Sequence, residues 1–120
     1  MSKKIDRLTE ILKKLEQDSG VNGAAIVSSK GQIMCAALHQ DVDEKAIGAM
    51  SAAISTIGNR VGQVLKAGEI ASVVLNGSQA VVILNQLSEA VLIATAPADA
   101  KIGLIDFEIA NAIKKIEEIL

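Results

Sequence analysis

The chain has 120 residues, half of them apolar, yet Phe107 is its only aromatic residue, so any core must be aliphatic. That length suits a single domain spanning residues 1–120, and a formal net charge of −2 offers no basic face for nucleic acid. No apolar run is long enough to span a bilayer, MSKKIDRLTE lacks the apolar segment of a signal peptide, and one cysteine excludes an internal disulfide, so we expect a soluble, cytoplasmic protein.

Ile5, Leu8, Leu12 and Leu15 recur at helical spacing and predict a helix over 3–18, with charges on its other face. Gly20 and Gly23 end it, with Asn22 between them, where left-handed backbone is tolerated. AAIVSS (24–29) reads as a short apolar strand, Lys30-Gly31 as a turn, and QIMCAA as a second strand. Asp41 and Glu44 then stand at capping-box spacing before a second helix over 44–66, with Asp43 as an alternative cap.

That second helix carries two rows. Ile47, Met50, Ile54, Ile57, Val61 and Val64 make a bulky apolar row, expected to face the core. Roughly opposite runs a row of small residues, Gly48, Ala52, Ser55, Asn59 and Gly62. It could be a bland solvated surface, but Gly48, Gly58 and Gly62 each cost about 1 kcal/mol relative to alanine in a helix. Three such glycines predict that something packs close against the backbone, most simply the same helix of a two-fold related copy. The small row is therefore the expected dimer face, and the flanking Ser51, Thr56, Arg60 and Gln63 are the expected platform for another partner.

After Lys66 the pattern changes to period two. IASVVLN (70–76) leads through Asn76-Gly77, a strong hairpin signal, into AVVILN (80–85); Gln86, Leu87 and Ser88 turn the chain into EAVLIATA (89–96). Pro97 and Asp99 end the strand and start a last helix, Asp99 being its expected cap. Its stripe is Ile102, Ile105, Ile109, Ala112, Ile113, Ile116 and Leu120. Leu104 and Phe107 fall off that stripe and are a candidate contact patch, unless both tuck against the first helix.

The order is helix-strand-strand-helix-strand-strand-strand-helix, with short turns that make neighbouring strands antiparallel. The last three strands are apolar on both faces, Val73, Leu75, Val81, Ile83 and Leu92 on one and Val74, Val82, Leu84, Val91 and Ile93 on the other. Such a sheet must be covered on both sides. The expected fold is thus an α+β, three-layer α/β/α sandwich with a five-stranded antiparallel sheet. The terminal helices cover one face and the central helix the other. The strand over 70–76 is expected at an edge, where Ser72 and Val74 would meet another chain.

Little in the chain points to catalysis. HQDVDE (39–44) has one imidazole with loosely spaced carboxylates, a poor ligand set better explained by helix capping, so no metal is expected. Cys35 lies in an apolar strand with no basic neighbour to activate it. Neither phosphate-binding glycine pattern occurs, and no acid-base or nucleophile-base pair emerges, so neither a cofactor nor an enzyme is expected. Arg60 could reach a partner's transferring phosphate, but a rim hydrogen bond or ion pair is the plainer reading.

The stretches VNGAAIVSSKGQIMCAA, IGAMSAAISTIGNRVGQVL and EIASVVLNGSQAVVILNQLSEAVLIATAPADAKIGLIDFEIANAIKKI together resemble a roadblock (dynein light chain) domain over nearly the whole chain. The similarity is to the stand-alone prokaryotic members, archaeal ones included. It implies a homodimer formed through the central helix and third strand, with one continuous ten-strand sheet. It also implies a partner or regulator of Ras-like small GTPases, or alternatively a structural adaptor in a larger assembly with a non-GTPase partner. Neither nucleic acid nor membrane is expected as a partner.

Overall fold

A computed structural model describes residues 2–39 and 41–120. In chain order the elements are α1 (Lys3–Ser19), β1 (Gly23–Ser28), β2 (Ile33–Ala37), α2 (Glu44–Val64), β3 (Ser72–Asn76), β4 (Ala80–Gln86), β5 (Ala90–Pro97) and α3 (Ile102–Ile119). The strands form one antiparallel sheet in the order β2-β1-β5-β4-β3. Helices α1 and α3 pack together on one face and α2 crosses the other, giving the three layers expected.

The apolar periodicities account for these layers. Leu8, Leu12 and Leu15 of α1 and Ile105, Ile109, Ala112 and Ile116 of α3 are buried against Ala24, Ile26, Val81, Ile83 and Leu92 of the sheet. On the other face Ala25, Val27, Leu84, Val91 and Ile93 form a second cluster beneath α2. Ser2 caps α1, its Oγ accepting from the Ile5 N–H, and Gly20 ends it at φ 86°. Asn22 does not share that left-handed backbone, so the helix stops on one glycine alone. Gly23 already belongs to β1.

Three local expectations are corrected. The β3–β4 turn is centred on Ser78 and Gln79, because the Gly77 N–H donates to the Ala80 carbonyl. Gly77 is thus the last paired residue and keeps a negative φ, instead of occupying a left-handed turn position. A turn with two central residues sets odd positions opposite even ones, so Val73 pairs with Leu84 and Val74 with Ile83. Val73 and Leu75 therefore share the α2 face with Leu84, and Val74 lies on the other. The cap of α3 is Lys101, with no side-chain hydrogen bond, and not Asp99: helical backbone begins only at Ile102.

The end of α2 holds a strained residue. The Lys66 N–H donates to the Gln63 carbonyl and the Ala67 N–H to the Gly62 carbonyl, a paired closure that needs left-handed backbone at Lys66. Lys66 adopts it at φ 57°, the one residue other than glycine with positive φ among those described. A Cβ there costs about 1 kcal/mol or more. Lys66→Gly is expected to raise unfolding stability by about 0.5–1 kcal/mol in urea denaturation, after the added freedom of the unfolded chain is counted.

Candidate interaction surface

Asp43 caps α2, its Oδ1 accepting from the Ala46 N–H at 3.1 Å, so the alternative cap is the one used and Asp41 is not. Gln40 of the HQDVDE stretch lies outside the described residues. His39 Nε2 is hydrogen-bonded to Glu16 of α1. No group of three or more His, Cys, Asp or Glu side chains is placed to hold a metal ion among the described residues.

The two rows of α2 divide differently from expectation: Ile47 and Ile54 of the bulky row do pack against the sheet, but Met50, Ile57, Val61 and Val64 turn outward and both end glycines of the small row turn inward. Gly48 and Gly62 are buried inside the chain, not exposed for a partner helix. A Cβ on Gly48 would lie 2.4 Å from the Gly31 carbonyl oxygen; on Gly62 it would lie 2.8 Å from that of Gly68 and from Ile70. The glycines do mark close backbone approach, but the approaching chain is the protein's own β1–β2 turn and the loop before β3. Ala52 is half-buried within van der Waals reach of Gly31. Gly58 sits over Val73, so α2 runs diagonally from the β1–β2 turn to the edge strand β3.

The polar members of the small row are also tied within the chain. Ser55 Oγ donates to Gln86 Oε1 at 3.0 Å, and the Asn59 and Gln86 amides exchange two hydrogen bonds of 3.1 and 2.9 Å. Ser51 cannot belong to a partner platform: it is 0 % exposed, against the sheet, and its Oγ has no hydrogen-bond partner. Thr56 is exposed and returns its hydroxyl proton to the Ala52 carbonyl. Arg60 and Gln63 are exposed, and Arg60 has no ion pair among the described residues.

What α2 presents outward is the greater part of its bulky row. Met50 is 52 %, Ile57 61 %, Val61 48 % and Val64 64 % exposed, with Ile47 and Ile54 half-buried beside them. These are the residues a large-means-buried reading assigns to the core. The signal for the other reading lay in the strands: Val82, Leu84, Val91 and Ile93 already fill the space under the helix. A helix on so bulky a sheet face comes close only through small side chains. Beside the row lies the open edge of β3, where Ser72 and Val74 are exposed. Apolar exposure next to an unpaired strand edge makes this the candidate interaction surface.

On the opposite layer Leu104 and Phe107 are both exposed on α3, Phe107 by 64 %, so neither tucks against α1. Between α1 and α3 runs a groove of about 620 Å³, with Ile11, Leu15 and Ala112 among its lining and Lys13, Lys14, Lys114 and Lys115 around them. Cys35 is buried on this side. Burial pushes its thiol up to about 11, against smaller opposing effects of hydrogen bonds with Thr9 and the Ile26 backbone, which disfavours the nucleophilic thiolate at neutral pH. No helix of the described residues is long and apolar enough to cross a membrane.

Residues 7–96 match the family model described as "Roadblock/LC7 domain". No curated protein matches the chain in sequence. Among solved structures, Myxococcus xanthus MglB superposes with a TM-score of 0.92 at 15 % identity, over 99 % of this chain and 91 % of that one. MglB in a tetrameric arrangement gives a TM-score of 0.91 at 14 % identity, over 99 % and 91 % of the two chains. A Roadblock/LC7 domain from Streptomyces avermitilis gives 0.85 at 16 % identity, over 92 % and 94 %. At these identities the likeness speaks for the fold.

Proposed function

Because the chain belongs to the Roadblock/LC7 domain family, we propose that it is a non-catalytic, homodimeric interaction protein of the cytoplasm that binds and regulates a Ras-like small GTPase. The observation that carries self-association is the exposed row of Met50, Ile57, Val61 and Val64 beside the open β3 edge. Two copies joined there would cover the apolar row and extend the sheet across the two-fold axis, with Ser72 and Val74 at the seam. That MglB occurs in a tetrameric arrangement supports self-association as a property of this fold.

The link to a GTPase comes from the family resemblance. Thr56, Arg60 and Gln63 remain exposed on α2 and offer the dimer a mostly polar platform beside the covered row. Leu104 and Phe107 offer a second, smaller contact on α3. Any effect on hydrolysis would arise from ordering the GTPase's switch loops, which respond to the γ-phosphate, and not from a group donated by this chain.

The test is capture of Ras-like GTPases from the source organism, loaded with GDP or a GTP analogue, on the immobilised protein. Binding that depends on the nucleotide supports the proposal. Absence of binding in both states transfers the surface to a structural adaptor with a non-GTPase partner. Arg60→Ala is expected to weaken the complex about two- to fivefold, the worth of an exposed polar contact, and to leave single-turnover hydrolysis at saturation unchanged. A loss of about 1,000-fold at saturation would instead reveal an arginine finger.

A further inference from the structure

We propose that the groove between α1 and α3, with Leu104 and Phe107 at one end, docks an amphipathic helix of another protein that carries carboxylates beside its apolar stripe. The site lies on the layer opposite α2. It needs neither the self-association nor the GTPase of the reading above, and its test bears on neither.

The outer side chains of α3 make one continuous strip. Glu108, Asn111, Lys114 and Lys115 line the groove. Leu104 stands one turn before Glu108, and Phe107 one turn before Asn111, so both apolar side chains lie on the rows that form the groove wall. From Leu104 to Lys115 the strip runs about 16 Å, or about three turns of helix. A single exposed apolar residue is ordinary on a protein surface. Here the exposure is concentrated. Away from α2, its flanking residues and β3, every exposed large apolar side chain among the described residues falls in the first two turns of α3: Ile102, Leu104 and Phe107. The groove continues that patch over a floor of Ile11, Leu15 and Ala112. A furrow between two packed helices suits the ridge of a third, which buries its apolar stripe on the floor.

Charge decides what flanks that stripe. Lys13 and Lys14 are matched within α1 by Glu10 and Asp18, at 4.0 and 3.3 Å. Lys114 and Lys115 are exposed and form no ion pair among the described residues. Glu108 is the one other carboxylate in the lining, so the groove holds one positive charge in excess on a chain of formal net charge −2. Lysine stems lie along an apolar wall while their ammonium groups stay in water at the rim, within reach of a partner's carboxylates. A basic amphipathic helix would set like charges together there. The arrangement also gives the site a direction, with apolar anchors on Leu104 and Phe107 and carboxylates over Lys114 and Lys115.

The test uses the full chain and a fluorescein-labelled peptide of about 18 residues, long enough for a helix to form, with leucines at helical spacing and glutamate and alanine elsewhere. Saturable binding is expected, about tenfold tighter at low salt than that of the same peptide with lysine in place of glutamate. Phe107→Ser should weaken binding about tenfold. Lys114→Glu with Lys115→Glu should do the same and turn the preference towards the lysine peptide, a reversal that a misfolded variant could not show. About 1 M salt should erase the charge preference and leave the effect of Phe107→Ser. Ile57→Asp, on the opposite layer, should change nothing. No saturable binding, equal binding of the two peptides, or loss of binding in Ile57→Asp overturns the proposal. Dodecanoate shifting the amide resonances of α1 and α3 where the peptide does not would also overturn it, giving the groove to a small amphiphile.

Discussion

Replacing Gly48 with alanine is expected to lower the thermal unfolding midpoint by about 10 °C, the larger of two opposing effects deciding the sign. In a helix interior, Gly→Ala ordinarily gains about 1 kcal/mol. Here the added methyl would stand 2.4 Å from the Gly31 carbonyl oxygen and 3.3 Å from its carbon, closer than atoms can pack. The obstacle is backbone, held by the hydrogen bond from the Gly31 N–H to the Ser28 carbonyl, so it cannot swing aside as a side chain would. Forcing α2 off the β1–β2 turn would also disturb the cluster of Ala25, Val27 and Ile93 beneath it. We expect a net loss of about 2–3 kcal/mol, in the overpacking range. In a domain of this size that is on the order of 10 °C. Gly103→Ala is the control. A Cβ there meets nothing within 4 Å, so the same chemical change should stabilise by a few tenths to about 1 kcal/mol. Equal effects at the two glycines would show that α2 does not press on the turn.

Ile57→Asp should abolish self-association while leaving the protomer folded. Ile57 is 61 % exposed in the single chain, so a carboxylate there stays in water, and the cost to folding should be within about 0.5 kcal/mol. In the proposed dimer Ile57 lies in the middle of the exposed row that the partner covers. Two carboxylates would then be buried without partners, each at a cost of several kcal/mol. Every 1.4 kcal/mol is tenfold in affinity, so light scattering at micromolar concentration should report one chain mass for this variant and two for the wild type. Phe107→Ser is the companion. It removes an equally exposed apolar side chain on the opposite layer, and should leave both the dimer and the unfolding stability unchanged. A wild-type monomer, or an Ile57→Asp dimer, would remove the α2 row from the interface.

Much of the fold was legible because its signals are local. Helical periodicity placed α1, α2 and α3 to within a residue or two at most ends, short apolar runs about a turn placed β1 and β2, and period-two runs placed the last three strands. Apolar residues on both faces of β4 and β5 required two covering layers, and the count of helices supplied them. The site was legible only as two rows on one helix. Gly48, Gly58 and Gly62 were rightly read as a backbone closely approached, and Phe107 as lying off its core stripe.

Periodicity states which residues share a face and says nothing about which face points inward. That choice depends on the volume left between α2 and the sheet, which Leu84, Val91 and Ile93 occupy from below. Small residues on α2 then let the helix settle onto them, and Gly31, Gly68 and Ile70 close over it from the flanking turns, Gly31 being 17 residues from the Gly48 it meets and Gly68 only six from Gly62. The same settling buried Ser51 with its hydroxyl unpaired, and turned Met50, Ile57, Val61 and Val64 outward. The chain's pattern thus determined that α2 has one bulky and one small face. Only the packed sheet, by filling the space beneath the helix, decided that Met50, Ile57, Val61 and Val64 would be left exposed.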